Sequence, residues 1–182
     1  MNDIDERIDG FVRHLCRLAS DKNPDRGALA DLRSGLSLPP GQAHKMHKHI
    51  VPYLGELDSR SDKWFYVVGA LFGLHRSHRP KVSLAKAFRK LAREGSHSIE
   101  KRFLALLQSH PNDLHKHLGA AAGLLKSKDI AFDYAELLHD LTRWSDPEKL
   151  VQNRWARDFY RSSKQTENTE NEENVHVSQR ED

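Results

Sequence analysis

The sequence predicts an all-α protein: two small helical bundles packed together, followed by a disordered acidic C-terminal tail. Two observations carry this prediction. Apolar residues recur at three- and four-residue spacing along most of the chain, which buries one side of a helix. No stretch alternates apolar and polar residues, and β-branched residues are sparse, so no strand is expected.

The elements follow in order. Ile4, Ile8, Phe11, Val12, Leu15 and Leu18 share one face of a first helix, which breaks at Asn23-Pro24. A short helix over 25–35 carries Leu29 and Leu32, and Leu38-Pro39-Pro40-Gly41 is a loop. A further short helix over 42–54 is interrupted near Pro52. Trp64 to Leu74 is the most apolar run and reads as a central buried helix. Ser83 can cap a helix over 84–94 that stops before Gly95. Ile99, Phe103, Leu106 and Leu107 mark the next helix. Another runs from near Asp113 through Gly119-Ala120-Ala121-Ala122-Gly123, a small-residue stretch that permits close packing. Asp133 and Glu136 have capping-box spacing for a helix over 134–144. Asp146-Pro147 places a cap before a proline at the first position of a last helix, which runs to about Arg161. The chain divides near residue 95 into bundles over 1–95 and 96–164, with a tail over 165–182 too polar to fold.

Composition narrows the function classes. The 182 residues are 37% hydrophobic and 30% charged, with no run of about 18 apolar residues to span a membrane. The opening MNDIDERIDG lacks the order of a signal peptide, and the single Cys16 cannot form an internal disulfide. These features together read as cytoplasmic. The formal net charge of +3 hides a division: residues 165–182 hold six acids against Arg180, a net −5, which leaves +8 on residues 1–164. A basic body points to a polyanionic partner.

The helix over 84–94 shows where that charge sits. Leu84, Ala87, Phe88 and Leu91 form its apolar face, while Lys86, Arg89, Lys90 and Arg93 form a stripe directly opposite. Residues 76–102 hold nine Lys/Arg against Glu94 and Glu100. In the last helix Arg154, Arg157 and Arg161 share one face, and Val151, Trp155 and Phe159 the other. Such stripes suit contact with a phosphate backbone, one counterion-release unit per contact. A solvated outer face is the competing reading of each. No RNA-recognition aromatic motif, zinc finger or GXXG loop provides base reading.

Catalytic and metal motifs are weak. His44 and His47 stand one helical turn apart, and His115 and His117 stand near His110, but zinc sites usually add cysteine or carboxylate ligands at defined spacing, and Lys45 and Lys48 would oppose a cation. No metal or other cofactor is expected. His139-Asp140 is the dipeptide of HD-type phosphohydrolases without the further ligands such enzymes need. There is no phosphate-binding glycine loop and no Gly-x-Ser-x-Gly elbow. Cys16 and Trp155 read as core residues. Trp64 and Trp144 could also stack on bases, Trp144 standing beside Arg143 at a helix end.

The C-terminal half carries a family resemblance. Ser98 to Leu107 (SIEKRFLALL), Phe132 to Leu141 (FDYAELLHDL), Arg143-Trp144 and Arg154 to Tyr160 (RWARDFY) resemble the CasB family, the small subunit of the type I-E CRISPR Cascade complex. Asp25 to Leu29 with Leu32-Arg33, Val51-Pro52-Tyr53-Leu54, the Tyr66 to Leu74 helix and Ser83 to Ala87 match more loosely, so the likeness spans roughly residues 5–161. The resemblance implies a non-catalytic α-helical subunit that pairs with a second copy and meets other Cascade subunits, including the large one. It implies sequence-independent contact with guide RNA and target DNA, stabilising the R-loop in antiviral defence. The matching basic residues are Arg26, Arg33, Lys101, Arg102, Arg143, Arg154 and Arg157, to which the stripe argument adds Lys86 and Arg89. The chain departs from the family in its histidine-rich 44–49 segment and its acidic tail, whose charge would let it occupy the basic groove. Two rivals stay open, a metal-dependent HD-like phosphoesterase and a helical protein-interaction module without nucleic-acid contact.

Overall fold

The computed structural model describes residues 3–55, 60–93 and 97–161. Among them the chain is all-helical: α1 (Asp3–Leu18), α2 (Arg26–Arg33), α3 (His47–Ile50), α4 (Asp62–Leu74), α5 (Leu84–Arg93), α6 (His97–Gln108), α7 (Leu114–Ser127), α8 (Tyr134–Thr142) and α9 (Leu150–Tyr160). The expected boundary near residue 95 and the expected disorder of the tail fall on residues 94–96 and 162–182, outside the described residues.

The apolar α4 is the central element, with every residue from Trp64 to Gly73 buried. It packs against α2, α7 and α8, and α1 closes over α8 with Ile8, Phe11, Val12 and Leu15. Two glycines one turn apart permit close approaches to α4. A methyl group on Gly73 would lie 2.5 Å from the Arg33 nitrogen and 2.9 Å from the Leu29 carbonyl, and one on Gly69 would lie 2.9 Å from the Ile50 side chain. In the small-residue stretch of α7 the packing falls to Ala121 and Ala122, which are buried, and not to the two glycines. A methyl group at Gly123 would meet nothing, and at Gly119 only Leu36 at 3.9 Å.

The same core continues between α5, α6 and α9. Phe88 meets Phe103 at 5.8 Å, and Phe103 stacks on Phe159 at 4.1 Å. Trp144 is 1% exposed and packs edge-on against Trp155 at 5.1 Å, so it belongs to the core and cannot stack on a base. Trp64, at 4% exposed, is likewise core. Ser83 caps α5 as its sequence position predicts, accepting the Lys86 N–H at 3.2 Å, and donates its own proton to Asp158 on α9 at 2.8 Å.

The strap from α4 to α5 runs beside the α7–α8 connection. The Arg79 N–H donates to the Phe132 carbonyl at 3.0 Å and the Asp133 N–H to Val82 at 2.7 Å. Asp133 therefore completes only half of the expected capping box. Its carboxylate accepts from Ala135 and Glu136 at 2.9 and 3.1 Å, but its own N–H is taken by the strap. Three further differences from the sequence reading have local causes. The 42–54 region is split into a 3-10 turn over 44–46, α3, and a second 3-10 turn over 51–53, where Pro52 lacks an N–H. The α8 helix ends at Thr142 rather than 144. The last helix starts at Leu150, because Asp146 caps a separate turn through the Glu148 N–H at 2.8 Å and Lys149 then adopts a left-handed φ of 55°.

Candidate nucleic-acid interface

The periodicity that buries one side of α5 leaves the other to cations. Leu84, Ala87, Phe88 and Leu91 are buried, Lys86, Lys90 and Arg93 are exposed, and Arg89 is half-buried. Arg89 donates through Nη1 to the Arg161 carbonyl at 3.2 Å, joining the stripe to the end of α9. On α9 itself Val151, Trp155 and Phe159 are buried while Arg154, Arg157 and Arg161 are exposed. Lys101 and Arg102 are exposed on α6, which packs against both α5 and α9.

Six of the nine cations expected from sequence thus lie on three mutually packed helices: Lys86, Arg89, Lys101, Arg102, Arg154 and Arg157. Lys86, Lys101, Arg102 and Arg157 have no carboxylate within ion-pair distance among the described residues, and neither do Lys90 and Arg93. Arg154 differs. Its Nη2 binds the buried carboxylate of Asp140, and its side chain is 49% exposed. Three cations lie elsewhere: Arg26 and Arg33 at the two ends of α2, and Arg143 at the end of α8.

Arg143 lines an open groove of about 530 Å³ with Arg60, Lys63, Trp64, Thr142, Ser145 and Asp146. Lys63 lies over the Trp64 ring, 4.5 Å from its centroid, and burial pulls its ammonium below the usual lysine range. Arg60 and Lys63 escape a reading of charge along the chain because Asp58 and Asp62 neutralise the segment. They meet Arg143 only through the fold.

The His139-Asp140 pair is divided between structural partners. Asp140 accepts from the Trp155 indole N–H at 2.6 Å and from Arg154, tying α8 to α9, whereas His139 faces Asp5 at 3.5 Å. Burial raises the Asp140 carboxyl pKa, and the Trp155 and Arg154 bonds oppose that rise. His44 and His47 pack edge to face at 5.5 Å, and His47 Nδ1 bonds the Tyr66 hydroxyl at 2.9 Å. Among the described residues no three His, Cys, Asp or Glu side chains gather as a metal site. Cys16 is half-buried against the core, and burial raises its thiol pKa, away from a nucleophile's. No helix among the described residues is long and apolar enough to cross a membrane.

Similarity to known proteins runs along most of this chain. A family model described as CRISPR-associated protein Cse2 matches residues 28–160. A CRISPR-associated protein Cse2 of Thermus thermophilus is 37% identical over 153 residues, 82% of this chain and 88% of that protein. The solved Cse2-family structure from the same organism superposes with a TM-score of 0.76 at 36% identity, covering 85% of this chain and 98% of its own. The CasB structure from M. ruber gives a TM-score of 0.71 at 31% identity, covering 90% and 97%. A chain of a solved CRISPR RNA-guided surveillance complex shares the fold, with a TM-score of 0.75 at 21% identity over 91% and 98%.

Proposed function

The chain belongs to the CRISPR-associated Cse2 family, and from that premise we propose that it is the non-catalytic small subunit of a cytoplasmic Cascade surveillance complex. Its task is to hold guide RNA and target DNA strands, without reading their sequence, while the R-loop is open. The observation that carries this reading is the cationic surface of α5, α6 and α9, where Lys86, Lys101, Arg102 and Arg157 have no carboxylate within ion-pair distance among the described residues. Within one stripe, like charges a turn apart repel by a few tenths of a kcal/mol per pair, a cost that an anion lying along them removes.

The physical logic is one of small differences. Base pairing reads the target, and exchanging one duplex for another is nearly balanced in free energy. A few phosphate contacts on the separated strands can therefore decide whether the open state persists. Arg26, Arg33 and Arg143 extend the proposed contact to α2 and to the groove beside Arg60 and Lys63. Partner subunits, among them the large subunit and a second copy of this chain, complete the assembly in this reading. The division into bundles over 1–95 and 96–164 is part of the same proposal.

A gel-shift titration tests it. Charge reversal of Lys86, Arg89, Arg102 and Arg157 together should abolish binding to single-stranded nucleic acid while circular dichroism shows unchanged helix. Wild-type affinity in that variant would refute the assignment. Arg154 is left out of the set because its loss strands Asp140, so a binding defect there could arise from misfolding.

A further inference from the structure

We propose that the acidic segment over 165–182 docks on the basic face of α5 in the free protein and competes there with nucleic acid. The inference rests on the nucleic-acid reading above, because the covered face is the one assigned to phosphates.

Charge complementarity is the first argument. The segment holds six acids against Arg180, and Glu167, Glu170, Glu172 and Glu173 fall within seven residues. Lys86, Lys90 and Arg93 are exposed and have no carboxylate within ion-pair distance among the described residues.

The second argument is the point of departure. The α9 helix ends at Tyr160, and the carbonyl of Arg161 accepts the Arg89 guanidinium at 3.2 Å. The last described residue therefore stands at the stripe itself. Glu167 lies six residues beyond Arg161, a reach of up to about 20 Å when extended. The stripe from Lys86 to Arg93 is only about 10 Å long on a helix. Every one of its cations lies within range of the first glutamate.

Energetics make this contact a filter and not a lock. Exposed ion pairs are individually weak and screened by salt. A tether supplies an effective concentration in the millimolar range, enough to compete with weak, non-specific strands. A guide or target strand held by several subunits at once would displace it. Stray nucleic acid is thereby disfavoured without loss of binding in the assembly.

The test has two readouts. In the full-length protein at low salt, a zero-length carbodiimide crosslinker should join Glu167, Glu170, Glu172 or Glu173 to Lys86 or Lys90 within one chain, as mapped by mass spectrometry. The yield should fall at high salt. Next, a chain ending at Lys164 and the variant E167Q/E170Q/E172Q/E173Q should each bind a 20-nucleotide strand about three- to tenfold more tightly than the full chain. A synthetic 165–182 peptide should inhibit the shortened chain. Crosslinks scattered over unrelated lysines, with equal affinity in all three proteins, would overturn the proposal while leaving the nucleic-acid reading intact. If no form binds the strand but the α5 crosslinks appear, the contact stands and the nucleic-acid reading falls.

Discussion

Asp140 shows how a residue of catalytic appearance can be used for construction. Its carboxylate is buried and serves two donors on α9, the Trp155 indole and the Arg154 guanidinium. Replacing Asp140 by Ala leaves the buried Trp155 N–H without an acceptor, a cost of about 1–3 kcal/mol. Thermal or urea unfolding of Asp140→Ala should show that loss, and a fully stable variant would contradict the pairing. His78 offers a second prediction at this scale. Its Nδ1 accepts the Tyr134 N–H at 3.2 Å, which requires the ring to be unprotonated there. Burial holds His78 below the usual imidazole range, with Asp133 pulling the other way. His14 is lowered too, by burial and then by the positive neighbours Arg17 and His49. A depressed histidine contributes stability above its unfolded pKa and loses it as the pH falls through that value. The melting temperature should therefore drop on acidification from neutrality to about pH 5.5. In His78→Asn, whose amide oxygen can accept the same N–H, that drop should shrink; an identical slope would exclude His78 as a contributor.

Glycines in two helices make the element scale testable. Gly73 on α4 faces the α2 backbone, where neither the Arg33 nitrogen nor the Leu29 carbonyl can give way to a methyl group. Gly73→Ala should destabilise by about 1–3 kcal/mol in spite of alanine's better helix propensity. Gly123 on α7 has open space around it, so Gly123→Ala should stabilise by up to about 1 kcal/mol. Denaturant midpoints of the two variants, measured side by side, should move in opposite directions. Movement of both in one direction would invalidate the packing described for α2 and α4. The α5 helix carries its own contrast. Its buried side is held by Phe88 against Phe103, so changes to Lys86 or Lys90 on the exposed side should alter binding without altering folding.

For the molecule as a whole the governing quantity is the uneven charge, +8 on residues 1–164 and −5 on residues 165–182. If about four cations meet phosphates of a single strand, affinity should fall about 50-fold between 50 and 200 mM salt. A double-logarithmic plot of binding against salt measures the number directly. A flat plot would remove the electrostatic basis of the proposed function.

Much of this architecture was legible along the chain because helix amphipathicity is a local property. Spacing alone identifies the buried and charged sides of α5 and α9, and the apolar run of α4 marks it as central, since 3.6-residue periodicity decides which side of a helix leaves water. Periodicity does not say which neighbour each side meets. The seat of Trp144 against Trp155 depends on approaches between distant segments, as does the Asp140 link to Arg154. So do the diversion of the Asp133 N–H to Val82 and the meeting of Arg60 and Lys63 with Arg143. The same holds for the glycines: composition singled out the α7 stretch, yet backbone contact is closest at Gly73 of α4. A close approach belongs to two elements at once, and no local pattern in either one encodes it.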